Sequence, residues 1–105
     1  MTRGPVWGAD SEDLNATILV WPAGDGPPAH VNAERDVLYV VLAGSARLDV
    51  DGDVSELGPG AALIVEKGRS RALAAGPNGV RYLTAHVRRP ALQISPLSAL
   101  ADPRR

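Results

Sequence analysis

Cysteine is absent from this 105-residue chain, and its absence excludes disulfide bridges, thiolate nucleophiles, zinc ribbons and iron–sulfur clusters. A large excess of charge of either sign is also missing, since 11 lysines and arginines stand against 12 aspartates and glutamates, for a net charge of -1. Such a balance gives no general attraction to nucleic acid or to an anionic membrane surface. No segment resembles a signal peptide or an apolar run of about 20 residues. The sequence therefore predicts a cytoplasmic protein with no nucleic-acid or membrane partner.

Several nucleotide-binding and catalytic motifs are missing as well. There is no Gly-Lys-Ser/Thr phosphate loop, no nucleophile elbow and no Ser-x-x-Lys sequence, so NTP chemistry and serine acyl transfer have no support. The stretch 24–29 formally matches a dinucleotide fingerprint, but it contains two prolines and no helix is predicted after it. It therefore lacks the helix N-terminus that would hold a pyrophosphate, and we interpret it as a loop.

What the chain does have is dense turn punctuation between short apolar and β-branched runs. A length of 105 residues is typical of one domain, and its 11 glycines and 9 prolines fall between the runs. The predicted strands cover 14–21, 36–43, 45–50, 53–57, 61–65, 69–75 and 80–87. Asp51-Gly52 suits the tight turn of a hairpin. Seven short strands at roughly 8–12-residue spacing indicate an all-β sandwich or small barrel with little or no helix.

The spacing of polar residues around the first loop resembles the first motif of the cupin family. That motif is a glycine, five residues, His-x-His, three or four residues, a glutamate, six residues and a glycine. Here Gly24 is followed after five residues by His30-Val31-Asn32, after three more by Asp36, and after seven more by Gly44.

The second cupin motif has a counterpart further along the chain. In the family it is a glycine, five residues, Pro-x-Gly, two residues, a histidine, three residues and an asparagine. Here Gly60 is followed by Glu66-Lys67-Gly68, then by Arg71 and Ala75 at the matching positions. The resemblance implies an antiparallel double-stranded β-helix (jelly-roll) barrel. It also implies one domain over 1–105, with the barrel at about 14–87 and a C-terminal extension at 88–105, and a homodimer.

The metal-ligand positions of the family are only half retained. Carried over position by position, the family's three histidines and glutamate become His30, Asn32, Asp36 and Arg71. Asn32 offers a weak neutral oxygen, and Arg71 is permanently cationic with no lone pair to donate. A guanidinium in the place of a ligand both removes a bond and repels a divalent ion, so the sequence predicts no obligatory metal.

Two roles are open for Arg71. In the first, it forms a buried ion pair with Asp36 or Glu34, whose loss would cost about 3–5 kcal/mol. In the second, Arg71 with His30 and Asn32 presents donors to an anionic small molecule, since the planar guanidinium fork matches a carboxylate or phosphate.

His86 decides whether a metal alternative survives. Strand alternation puts Tyr82, Thr84 and His86 on one face of the strand 80–87, but hydrophobicity does not show which face points inward. If His86 faces His30, the two imidazoles with Asp36 or Glu34 form a 2-His-1-carboxylate set for a divalent transition metal. Two kinds of enzyme are therefore possible besides a protein that only binds a small molecule. One is a metal-dependent isomerase, dioxygenase or decarboxylase, and the other is a metal-free acid/base enzyme using His30 or His86.

The sequence as a whole predicts a cupin domain that binds a polar or anionic small molecule, carboxylate-bearing or sugar-derived. Its predicted ligand-binding residues are His30, Asn32, Asp36, Arg71 and His86. Tyr39, on the opposite strand face from Asp36, is expected to serve in packing.

Overall fold

A computed structural model describes residues 3–88, and within that range the chain forms seven β-strands and no helix. The strands are β1 (Gly4–Asp10), β2 (Leu14–Trp21), β3 (His30–Val31), β4 (Val37–Val50), β5 (Asp53–Leu57), β6 (Ala62–Val65) and β7 (Ser70–Val87). The Asp51-Gly52 turn between β4 and β5 has positive φ at both residues, 51° and 93°, as the predicted hairpin requires.

Every strand pair is antiparallel, and the order in the sheet is β1-β2-β7-β4-β5, with β3 added to β7 and β6 added to β4. β7 therefore pairs with three other strands and joins the two halves of the sheet. The predicted all-β antiparallel class is confirmed.

β4 and β7 are each longer than predicted, because both continue through positions where the sequence suggested a break. Gly44 was expected to end a strand, and 76–79 to form a turn. In the structure the β4–β7 pairing shifts register on either side of Gly44 and then resumes. Such bulges bend a strand and increase its twist without ending it. One continuous strand can thus serve both sides of a curved sheet.

Two strands of the structure, β1 and β3, were not predicted from the sequence. β1 pairs with β2 from Gly4 opposite Val20 to Asp10 opposite Asn15, although its sequence lacks a regular apolar alternation. The two-residue β3 lies in the segment predicted as a loop. A further strand considered at 91–95 lies outside the described residues.

The core lies on one face of the sheet and follows the strand alternation. Val37, Tyr39 and Val41 of β4 are each at most 5% exposed, and so are Leu73 and Tyr82 of β7. The remaining buried apolar residues are Ala46, Leu48, Leu57, Val65, Ala75 and Val80. Burying a large apolar side chain fully contributes about 1.5–3 kcal/mol, so this inner face is the main source of stability.

The opposite face of the same sheet is also apolar, but it is open. Ile64, Leu38, Ala85 and Ala16 are consecutive cross-strand partners on β6, β4, β7 and β2, so their side chains share one face. Ile64 is 62% exposed. Leu14 and Val87, paired at the sheet's end, are also exposed. Exposed apolar side chains on neighbouring strands of one sheet face are typical of an interaction surface.

Candidate functional site

Arg71 points into the barrel because it occupies an inward position of β7. Arg71, Leu73 and Ala75 alternate as buried residues, and Arg71 itself is only 2% exposed. Its cross-strand partners are His30 of β3 on one side and Val50 of β4 on the other. The strand pattern therefore places a guanidinium at a position where apolar side chains are the rule.

The hydrogen bonds of Arg71 leave part of the guanidinium unsatisfied. Nε donates to the backbone oxygen of Arg69 at 3.3 Å, whereas the buried Nη2 has no hydrogen-bond partner. The ion pairs found within residues 3–88 use Arg3, Arg47, Arg69 and Arg88, and none includes Arg71. The alternative in which Asp36 or Glu34 neutralises Arg71 is thus not found among the described ion pairs.

The start of β7 is held in place by Asp51, in the β4–β5 turn. The Asp51 carboxylate accepts a hydrogen bond from Arg69 Nε and a second one, at 3.0 Å, from the Ser70 backbone N–H. These two bonds, the first from a cation, lower the pKa of Asp51, and the first also raises the pKa of Arg69. The anchored residues immediately precede Arg71, so the turn positions the backbone that carries it.

His30 and Asn32 approach Arg71 from β3 and the loop that follows it. His30 Nδ1 lies 3.3 Å from the Pro28 carbonyl oxygen, which only accepts, so Nδ1 carries a hydrogen and Nε2 is the nitrogen left for another partner. Asn32 Oδ1 accepts from the backbone N–H groups of Glu34 at 3.0 Å and Arg35 at 3.1 Å. The Asn32 oxygen is therefore used within its own turn, and the amide NH₂ is the group it can offer a ligand.

The second half of β7 lies across the cavity from Arg71, and the face that carries Tyr82, Thr84 and His86 points inward. Tyr82, Thr84 and His86 line the same cavity as Arg71. His86 Nδ1 lies 3.2 Å from the Val87 carbonyl oxygen, which again leaves Nε2 for another partner.

Asp36 is separated from the other four predicted site residues. Val37 and Tyr39 face inward, so the preceding Asp36 falls on the outer side of the strand. Its side chain is exposed, and Oδ1 accepts a hydrogen bond from the Lys67 backbone N–H at 2.9 Å. Asp36 therefore joins the loop before β4 to the loop after β6, and it does not line the cavity.

Side chains from both halves of β7, β4, β2 and the 27–32 segment line a half-open cavity of about 230 Å³. Its polar lining consists of His30, Asn32, Arg71, Thr84 and His86. Its apolar and aromatic lining consists of Leu19, Pro27, Val37, Tyr39 and Tyr82. Four of the five predicted site residues therefore meet in one cavity, together with six that sequence reasoning did not assign to it.

Tyr39 and Tyr82 stack on each other in the cavity lining. Their ring centroids are 5.9 Å apart and the rings are nearly parallel, at 19°. The Tyr82 hydroxyl accepts a hydrogen bond from Trp21 Nε1 at 3.1 Å. Burial raises the pKa of Tyr82 to about 12, although the bond from Trp21 acts in the opposite direction. The phenol therefore keeps its proton at neutral pH.

The residues present do not fit the metal centre expected of an intact motif. Within residues 3–88 no group of three or more histidine, cysteine, aspartate or glutamate side chains is arranged to hold a metal ion. The set His30, Asp36 and His86 is not assembled, because Asp36 lies on the other side of the strand. The lining places a fixed positive charge beside the two imidazoles instead.

A larger depression, of about 560 Å³, lies elsewhere on the surface, between the β2 end and the 77–81 segment. Its one charged lining residue is Arg81, which is exposed to solvent. The smaller cavity is the better candidate for binding, because it contains the buried charge and convergent polar groups that characterise ligand sites.

Comparison with known proteins agrees with the fold. The family described as "Cupin domain" matches residues 17–85, and the comparison with curated proteins gives no match. Among solved structures, KdgF from Halomonas sp. superposes with a TM-score of 0.74 at 20% identity, covering 85% of this chain and 79% of that one. TT1209 from Thermus thermophilus superposes with a TM-score of 0.72 at 23% identity, covering 86% and 85%. A cupin protein from Bacteroides fragilis gives a TM-score of 0.68 at 24% identity, covering 81% and 74%.

These likenesses support a jelly-roll barrel, and a fold of this kind does not by itself identify a ligand. Among residues 3–88 no helix has the length and apolar character needed to cross a membrane.

Proposed function

We propose that this protein, which belongs to the cupin family, binds a small anionic molecule in the barrel without an obligatory metal. The observation that carries the proposal is the Arg71 guanidinium, 2% exposed, with Nη2 unpartnered beside the cavity. A buried donor without a partner costs about 1–3 kcal/mol, and more when it belongs to a charged group. A bound anion would remove that cost.

The electrostatic attraction available to such an anion is substantial. Two opposite unit charges 4 Å apart attract by about 4 kcal/mol at an effective dielectric constant of about 20. A carboxylate or phosphate oxygen accepting from Nη2 would approach closer, at about 2.7–2.9 Å. Part of the attraction is offset by desolvation of the ligand, so we expect affinities between millimolar and micromolar for simple anions.

Neighbouring side chains can complete the recognition of an anion. His30 is the direct cross-strand partner of Arg71, and because its Nδ1 donates to Pro28, its Nε2 can donate to an anion only when the ring is an imidazolium. The Asn32 NH₂ and the Thr84 hydroxyl are further donors in the lining. A ligand oxygen at Arg71 would thus have donors on more than one side.

The proposal is tested by NMR titration of the ¹⁵N-labelled protein with sodium acetate and inorganic phosphate at constant ionic strength. Arg71→Met is compared with Arg47→Met, which removes an exposed arginine on β4 whose side chain is 65% accessible. We expect saturable shifts at cavity residues, a loss of affinity of at least tenfold in Arg71→Met and less than twofold in Arg47→Met. Equal affinity in all three proteins, or no saturable binding of either anion, would overturn the proposal.

A further inference from the structure

The two histidines that line the cavity are held in the same tautomer by the backbone. Nδ1 of His30 lies 3.3 Å from the Pro28 carbonyl oxygen, and Nδ1 of His86 lies 3.2 Å from the Val87 carbonyl oxygen. A carbonyl oxygen only accepts, so in each neutral ring Nδ1 carries the hydrogen and Nε2 carries a lone pair. Both neutral imidazoles therefore offer a hydrogen-bond acceptor to a ligand.

A bare carboxylate does not satisfy these acceptors. Its oxygens only accept hydrogen bonds, so acetate held by Arg71 would leave the Nε2 lone pairs of His30 and His86 without a donor. His30 is the direct cross-strand partner of Arg71, and side chains paired in this way have Cβ atoms about 4.5–5.5 Å apart. A ligand that matches both residues thus carries hydrogen-bond donors close to its negative charge.

Hydroxyl groups of the protein also face the ligand. Thr84 is the direct cross-strand partner of Tyr39, and it shares a strand face with Tyr82 and His86. The Tyr82 hydroxyl accepts a hydrogen bond from Trp21 and keeps its own hydrogen. Because hydroxyl groups both donate and accept, the hydroxyls of a ligand would find partners of either kind in this lining.

The donors of the ligand are better supplied by hydroxyl groups than by an ammonium group. An ammonium could also donate to Nε2, but the described lining contains no aspartate or glutamate to balance its charge. Arg71, which is 2% exposed, would repel such a second cation. The cavity of about 230 Å³ is smaller than the roughly 300–1,000 Å³ of pockets that hold drug-sized ligands. The ligand is therefore compact, with neutral O–H donors.

We propose that the natural ligand is a compact hydroxycarboxylate, held with its carboxylate on Arg71 and with hydroxyl hydrogens donated to Nε2 of His30 and His86. This inference rests on the proposed anion site and narrows it. Simple carboxylates and amino acids, which the charge of Arg71 alone would admit, are placed outside the ligand class.

The inference is tested with matched small probes in the same NMR titration at pH 8, which favours the neutral form of imidazole. Propanoate supplies the carboxylate alone, lactate adds one hydroxyl, glycerate adds two, alanine carries an ammonium in place of the hydroxyl, and propane-1,2-diol supplies hydroxyls without charge. One hydrogen bond contributes about twofold to tenfold in affinity. We expect glycerate to bind about tenfold more tightly than propanoate, with lactate between them. Alanine and the diol should bind no more tightly than propanoate.

Variants assign the preference to the imidazoles. His30→Phe and His86→Phe each keep an aromatic ring and remove the acceptor, and each is expected to lower the ratio of glycerate to propanoate affinity by about threefold. His86→Gln supplies a carbonyl oxygen as acceptor and should retain more of the ratio than His86→Phe, an order that a purely structural role would not produce. Leu42→Phe, at a position 46% exposed outside the cavity, is the control and should keep the ratio.

The outcomes separate the two proposals. Arg71-dependent binding in which propanoate or alanine equals glycerate overturns the hydroxycarboxylate class and leaves the anion site standing. Propane-1,2-diol binding as tightly as lactate, or glycerate binding that survives Arg71→Met, overturns the anion site itself. A ratio unchanged in both His30→Phe and His86→Phe overturns the assignment of the ligand hydroxyls to the imidazoles.

Discussion

Replacing Arg71 by methionine should make the protein more stable while abolishing anion binding. In the free protein the guanidinium is buried, its Nη2 lacks a partner, and none of the ion pairs within residues 3–88 includes it. Methionine has an unbranched side chain of similar length that packs well in irregular apolar spaces. The substitution therefore removes an electrostatic cost and keeps most of the packing.

The magnitude follows from three contributions. Removing the unsatisfied buried donor gains about 1–3 kcal/mol, and exchanging buried charged groups for well-packed apolar ones has gained about 1–4 kcal/mol in comparable cases. These two estimates describe overlapping physics and are not summed. Losing the bond from Nε to the Arg69 carbonyl oxygen costs about 1 kcal/mol. We expect a net gain of about 1–3 kcal/mol in the free energy of unfolding.

The assay is urea denaturation in a zwitterionic buffer of low salt. Guanidinium chloride is avoided because its ions screen charges and chloride could occupy the site, and any anion that binds the folded state would stabilise the wild type. Arg47→Met, on the exposed surface, should change stability by less than about 1 kcal/mol. A loss of more than about 1 kcal/mol in Arg71→Met would contradict this expectation, because it would mean that Arg71 is satisfied by groups of its own chain.

Three further predictions concern other parts of the molecule. Burial raises the pKa of Tyr82 from 10.0 to about 12, so as the pH rises the unfolded state releases this proton first. The free energy of unfolding should therefore fall by about 2–3 kcal/mol between pH 10 and 12. Urea midpoints of the wild type and Tyr82→Phe across that range check this, and an equal pH dependence in both proteins would contradict it. Gly44→Ala should lower the free energy of unfolding by at least about 3 kcal/mol, because φ is +74° and a Cβ would overlap the Gly79 carbonyl oxygen. Gly52→Ala, where φ is positive but the surrounding space is open, should lower it by about 1–2 kcal/mol in the same assay. Equal losses would show that the overlap at Gly44 is relieved. We propose that a second copy of the chain covers the outer apolar face of the sheet. Sedimentation should then give a mass of about 22 kDa, twice the 11.0 kDa of one chain, and Ile64→Lys should give a monomer. An unchanged mass in the variant would place the interface elsewhere.

The glycine framework is the part of the fold that the sequence determined best. Gly24, Gly44, Gly60 and Gly68, which carry the resemblance to the two motifs, all have positive φ in the structure. A positive φ is costly for other residues, so their spacing records where the backbone must turn or bend. The continuity of β4 and β7 was not predictable in the same way, because a glycine that bends a strand and one that ends it look alike in a single sequence.

Part of the candidate site could be predicted from strand alternation. The buried series Val37, Tyr39 and Val41 shows that Asp36 points outward, but the sequence 37–43 is apolar on both strand faces, so alternation alone could not show this. The motif comparison assigned Asp36 to a ligand position. For the strand 80–87 alternation grouped Tyr82, Thr84 and His86 correctly, but their direction depends on pairing with β2 and β4, which is a long-range property.

The pairing of His30 with Arg71 could not be obtained from either motif alone. β3 contains only two residues, and its register against β7 is fixed by contacts between segments about 40 positions apart in the chain. The same holds for Trp21 and Tyr82, whose hydrogen bond spans 61 positions. Local sequence therefore identified most of the polar groups, and only the folded chain showed which of them share a cavity.

The anion site at Arg71 is tested most directly by a crystal structure of the protein grown with benzoate, beside one grown without added carboxylate. We expect a carboxylate oxygen about 2.7–2.9 Å from Arg71 Nη2. An Arg71 guanidinium paired with a carboxylate of its own chain in both crystals, with the cavity free of benzoate, would contradict it.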